Sequence, residues 1–182
     1  MFVRTPHQAL RLIRDDLQAA ASCLTASVLR VNVAGEASDR SAISFGGDRR
    51  RARVDGGPAW WISINLSVEM RQDEAESLGW RTHTRIYDLA VFDHEDQGDF
   101  LFAYHHHPSD DAEGVQTPHL HVNAKPRWSG GNLKKVHLAT GRIPCEAFIR
   151  LLITDFGVNP TRTDWAKVLA RTEARFAQRR TW

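Results

Sequence analysis

From Trp61 to Met70 the sequence alternates with a period of two. Ile62, Ile64, Leu66, Val68 and Met70 are apolar, and Ser63, Asn65, Ser67 and Glu69 between them are polar. Successive side chains of a strand point to opposite faces, so this run predicts a strand in a sheet with one packed face and one wet face. Similar segments flank it. Val28–Val33 reads as a strand ended by Gly35. A further strand is expected between Ala42 and Val54, interrupted by Gly46-Gly47 and an arginine run. Arg81–Phe92 and Phe100–His107 form a pair joined by the turn-forming loop His94-Glu95-Asp96-Gln97-Gly98, and Pro118–Val122 is a short last strand.

Helical spacing appears only at the two ends. Thr5-Pro6-His7-Gln8 has the chemistry of a helix start: a capping hydroxyl, proline where no N–H is needed, and a glutamine completing a capping box. Leu10, Ile13, Leu17, Ala20 or Ala21, and Leu24 follow as one stripe. Pro144 opens a second helix whose Phe148, Ile149, Leu151, Leu152, Ile153 and Phe156 predict deep packing, with Gly157 and Pro160 as its stop. Thr161 and Asp164 are expected to cap a third, with the stripe Trp165, Val168, Leu169, Thr172 and Phe176. A helix, a run of hairpin-connected strands and two more helices predict an α+β fold: an antiparallel meander flanked by an N-terminal and two C-terminal helices, in a single domain over residues 1–182.

With 25% charged and 42% hydrophobic residues the composition is globular, not disordered. No apolar run approaches 18 residues, so no membrane span is predicted. The first residues lack the apolar core of a signal peptide, and a cytoplasmic location is the expectation. Two cysteines, Cys23 and Cys145, are then expected to be reduced. Cys145 beside Pro144 and Glu146 invites a nucleophile reading, but a buried thiol is the better expectation. The glycines at 46–47 and 130–131 lie outside any strand–turn–helix phosphate motif. The net charge of +2 hides basic clusters at Arg49–Arg53, at Lys125, Arg127, Lys134 and Lys135, and along Lys167, Arg171, Arg175, Arg179 and Arg180. Such segregation suits a polyanionic partner such as RNA.

Five of the nine histidines lie between positions 105 and 121, in YHHHPSDDAEGVQTPHLHV. Alternation puts His105 and His107 on one face, with His106 opposite, and puts His119 and His121 together. The intervening loop can bring the two His-x-His pairs onto adjacent strands, with His137 or an acid from Asp110, Asp111 or Glu113 nearby. Two chemistries need converging imidazoles. One is a metal centre, for which Zn²⁺ on His105, His107, His119 and His121 is the candidate. The other is metal-free RNA cleavage by a neutral and a charged histidine, for which His107 and His119 are the candidates. Arg127, Lys134 and Lys135 would hold the phosphate. His83, His7 and His94 read as ordinary strand or surface residues.

The stretch Tyr87–Val122 resembles prokaryotic TumE-type toxins of toxin–antitoxin pairs, through His106-His107-Pro108 and Thr117-Pro118-His119-Leu120-His121. It lacks the Asp-Asn that precedes His-His-Pro in that pattern and carries a longer helical C-terminus. The resemblance implies a small RNase-type toxin neutralised by an antitoxin protein. The expected function is therefore a nucleic-acid-directed hydrolase with a histidine-cluster site. Its rivals are a metal-binding module without catalysis and a protein-interaction module anchored by Trp60, Trp61 and Trp182.

Overall fold

The computed structural model describes residues 3–33, 40–47, 50–73, 79–96, 98–108, 115, 117–124 and 135–179. Along them run α1 (Pro6–Ala21), β1 (Leu29–Val33), β2 (Arg40–Phe45), β3 (Arg51–Arg53), β4 (Trp61–Asp73), β5 (Gly79–Phe92), β6 (Phe100–His106), β7 (His119–Val122), β8 (Leu138–Ala139), α2 (Cys145–Thr154) and α3 (Trp165–Arg179). The α+β architecture expected from the periodicity is present. The strands form one antiparallel sheet in the order β1-β2-β4-β5-β6-β7-β8, with β3 pairing β4 ahead of the stretch that pairs β2. No described helix is long and apolar enough to cross a membrane.

One face of the sheet is covered by the helices. Ile62, Ile64, Leu66 and Val68 of β4 are buried there with Tyr87, Leu89 and Val91 of β5. The α1 stripe Leu10, Ile13, Leu17, Ala20 and Ala21 packs into the same core, as does Leu24 just past the helix. Phe148 of α2 meets Phe102 and Tyr104 of β6 edge-on, at ring separations of 6.2 and 6.5 Å. Thr5 caps α1, its hydroxyl accepting from the Gln8 N–H at 3.2 Å. The Gln8 side chain reaches one residue beyond the usual capping box, to the Arg4 N–H at 3.1 Å.

Several expectations need correction. The segment 42–54 is two strands, not one, because Gly47 (φ 89°) and Arg50 (φ 52°) take left-handed backbone that cannot continue a ladder. Phe156 lies past the end of α2 and is 44% exposed; it stacks on Phe102 at 5.1 Å instead of joining the helix core. Gly157 does close the segment, at φ 68°. Thr161 does not cap α3: its hydroxyl donates to the Ser22 carbonyl. Trp60 and Trp61 are not an exposed pair. Trp60 packs on the main core and Phe156, and Trp61 on a second small cluster with Ala90, Phe92, Phe100 and Ala103. The edge strand β8, two residues long, has no counterpart in the sequence reading, which its length explains. Cys23 and Cys145 are both free and buried. Burial, then the neighbouring Glu146, pushes the Cys145 thiol well above its ordinary pKa, so it is no thiolate nucleophile.

Two irregularities shape the far face. A bulge between Ser67 and Val68 interrupts the β4–β5 register. Between Val91 and Phe92 the β5–β6 register also slips, so that Phe102 pairs Val91 while Phe100 pairs Phe92. Leu101 is the extra residue and packs on the helix side. Phe100 is thereby turned onto the opposite face, against Ala90 and Ala103.

Candidate metal centre

The far face carries the histidines. In the β6–β7 ladder His105 pairs directly with His119, and Ala103 pairs with His121. Residues opposite one another across an antiparallel pair, and the diagonal neighbours, lie within side-chain reach. Ring centroids are 5.9 Å apart for His105 and His119, 5.0 Å for His105 and His121, and 4.8 Å for His119 and His121. One ring nitrogen from each of the three lies within 4.8 Å of the others, which makes this trio able to hold a metal ion. A tetrahedral ion with nitrogen ligands at about 2.0–2.1 Å sets those nitrogens roughly 3.3 Å apart, so small side-chain rotations complete the site. His119 and His121 are buried and His105 is partly buried. Phe100 walls the site, 5.8 Å from both His105 and His121.

His107 shares the face, its ring 5.1 Å from His105, but it lies past the end of β6, exposed and outside the mutually close trio. His137 does join the cluster, from the segment leading into β8, at 4.8 Å from His119 and 4.5 Å from His121. The far face therefore brings five imidazoles together. His106 points the other way, as alternation requires. It is buried beside Tyr87, and the Arg142 guanidinium donates to its Nε2 at 3.2 Å. Burial and then the Arg142 charge hold its pKa below the ordinary value. His119 is also held low, by burial first, with His137 and His105 adding and its bond to the Thr117 carbonyl opposing. A depressed pKa keeps the imidazole neutral at physiological pH, the form a metal ligand needs.

Among the expected phosphate holders, Lys135 is exposed two residues before His137, while Arg127 and Lys134 lie outside the described residues, as do Asp110, Asp111 and Glu113. In the arginine run, Arg51 is already engaged. Its guanidinium sits over the Phe92 ring, 3.4 Å from the centroid, and donates to the carbonyls of His94 and Glu95. His83 stands apart on β5 opposite Glu69.

Among the described residues, the acid that the cluster meets comes from β5. Asp88 pairs directly with His105, and its Oδ1 is 3.3 Å from His105 Nε2. Asn65 of β4 is the next residue in the same row, so Asn65, Asp88, His105 and His119 cross four strands side by side. A signal for Asp88 existed: it is the one charge in the otherwise apolar run Tyr87–Phe92. Compared with protein-family models, with curated proteins and with solved structures, the chain matches none.

Proposed function

We propose that the chain is a small metal-dependent hydrolase that cleaves RNA, in the manner implied by its resemblance to TumE-type toxins, with a DNA-binding or other antitoxin protein as its cytoplasmic partner. The observation that carries this reading is the trio His105, His119 and His121, three nitrogen donors on one sheet face close enough to hold one ion. In this reading neither His107 nor His137, which stand beside the trio, takes the fourth position. Three protein ligands and an open position distinguish a catalytic zinc site from a closed structural one, and Zn²⁺ is the ion the all-imidazole set suits best. Zn²⁺ held by these three residues would supply a water with a pKa near 7 as nucleophile.

The remaining groups act on the substrate. His107, exposed at the rim and 5.1 Å from His105, is placed to pass a proton to the leaving oxygen. Lys135 offers a phosphate contact, and Arg127 and Lys134 belong to the same basic stretch of sequence. A second reading is favoured by the two imidazoles left outside the trio. His107 and His137 together with His119 offer enough acid–base groups for metal-free cleavage through a 2′,3′-cyclic phosphate.

The deciding experiment is RNA cleavage with and without chelator. Loss of activity in chelator and its return with Zn²⁺ is the expected result. Full activity in chelator, with a cyclic phosphate product, selects the second reading. Full activity in both His107→Ala and His119→Ala proteins overturns both.

A further inference from the structure

We infer that Asp88 is a positioning residue for this centre: it holds His105 with its Nε2 protonated, so that His105 offers Nδ1 to the metal while His119 offers Nε2. The inference deepens the metal reading above and rests on it. A neutral imidazole has one N–H and one lone pair, and the group facing one nitrogen decides which is which.

For His119 the deciding group is the Thr117 carbonyl, 2.8 Å from Nδ1. A carbonyl can only accept, so Nδ1 must donate, and the lone pair is left on Nε2. For His105 it is Asp88. The Asp88 carboxylate also only accepts, and its Oδ1 lies 3.3 Å from Nε2. That separation lacks the alignment of a full hydrogen bond, and among the described residues Oδ1 is otherwise buried without a partner. A small rotation of the ring would satisfy both atoms, and a metal pulling on Nδ1 would drive that rotation. The placement is fixed by the backbone, because the two residues are register partners in the β5–β6 ladder. Asn65, paired with Asp88 on the other side, has its own side-chain oxygen buried without a partner. Turning its amide over would aim an N–H towards the same carboxylate. Carboxylate–histidine–metal arrangements of this kind raise ligand basicity, and their loss typically weakens metal binding 10–100-fold.

The test has two arms. Long-range ¹H–¹⁵N spectra of the metal-free wild-type protein at about pH 8, above the ordinary histidine range, report each tautomer directly. The expected pattern is Nε2–H for His105 and Nδ1–H for His119, and an Nδ1–H His105 overturns the inference. Zn²⁺ titration of wild type, Asp88→Asn and Asp88→Glu forms the second arm. The Asn variant should bind about 10–100-fold more weakly, with the Glu variant partly restored and the metal-free melting temperatures close together. Wild-type protein that binds no Zn²⁺ overturns the metal reading and this inference with it. Tight binding by wild type with equal binding by Asp88→Asn overturns this inference alone.

Discussion

The two faces of the sheet are made from the same strands by opposite rules. On the helix side most positions that alternation assigns to packing are filled by apolar side chains, from Ile62 and Ile64 to Leu89 and Val91, with Ser41, Thr84 and His106 as buried polar exceptions. On the other side the same strands present Ser63, Asn65, Asp88, His105, His119 and His121, the face the sequence pattern assigns to water. Yet this face is not wet throughout. Ser63 is 3% exposed, His119 5% and His121 8%, and the side-chain oxygens of Ser63 and Asn65 are buried without partners among the described residues. An unsatisfied buried polar group costs about 1–3 kcal/mol, and both faces carry some, since Thr84 Oγ1 and His106 Nδ1 on the helix side are also without a partner among the described residues. What sets the far face apart is the trio of histidines close enough to hold an ion.

That contrast is most easily broken by exchanging the consequences of mutation between the faces. Phe148→Ala, on the helix side, should cost about 3–5 kcal/mol, because a fully buried ring between α2 and β6 leaves a cavity. At about 2–4 °C per kcal/mol for a chain of this size, melting should fall by on the order of 10 °C, while Zn²⁺ affinity per folded molecule stays as in wild type. Loss of Zn²⁺ binding in the folded variant would mean that the two faces are not independent.

His119→Ala reverses the pattern. The wild-type protein with Zn²⁺ at about 100 times its Kd should gain about 2.7 kcal/mol from binding to the folded state alone. The variant should lose that gain and change little without metal. Thermal melts with and without Zn²⁺ measure both quantities, and an equal Zn²⁺-induced shift in the two proteins would remove His119 from the ligand set.

Neighbouring histidines sharpen the comparison further. His105→Phe should abolish metal binding, whereas His106→Phe, one residue away and facing the core, should leave it intact. The cost of His106→Phe should stay below about 1.5 kcal/mol, as for a swap of similar volume, even though Arg142 loses its contact. Metal titration and urea melts of the pair check this, and equal loss of metal binding in both would contradict the alternation.

What could be read from the sequence follows the same division. Strand faces and the α1 stripe were legible because periodicity is a local property of the chain. The convergence of His105, His119 and His121 was legible for the same reason, since two His-x-His pairs need only adjacent strands. Asp88 was not, because its partnership with His105 depends on the β5–β6 register, and that register is set by a slip at Val91/Phe92 that no residue pattern announces. The acids at 110, 111 and 113 are nearer in sequence, which is what a local reading of the chain weighs. Phe156 was misplaced because apolar spacing alone does not say where a helix ends, and its stacking on Phe102 satisfies the same spacing from outside.

The smallest effect expected lies on the helix side, at a buried acid of α2. Glu146 of α2 is 2% exposed, with Oε2 buried and unpartnered. Burial pushes its pKa up, against hydrogen bonds from its own N–H and from Thr172. The sign of the consequence follows from proton counting. Above the ordinary glutamate value, about 4.3, the unfolded chain has lost this proton while the folded chain keeps it until its own higher pKa is reached. The folded state therefore binds more protons in that window, and stability falls as pH rises through it. Glu146→Gln removes the titration and keeps the shape. Its melting temperature should match wild type near pH 4 and exceed it at neutral pH, with the gap opening as pH rises and then levelling off. A gap that narrows with rising pH would mean that the carboxylate is charged and well paired in the fold, and that the helix side tolerates a buried ion.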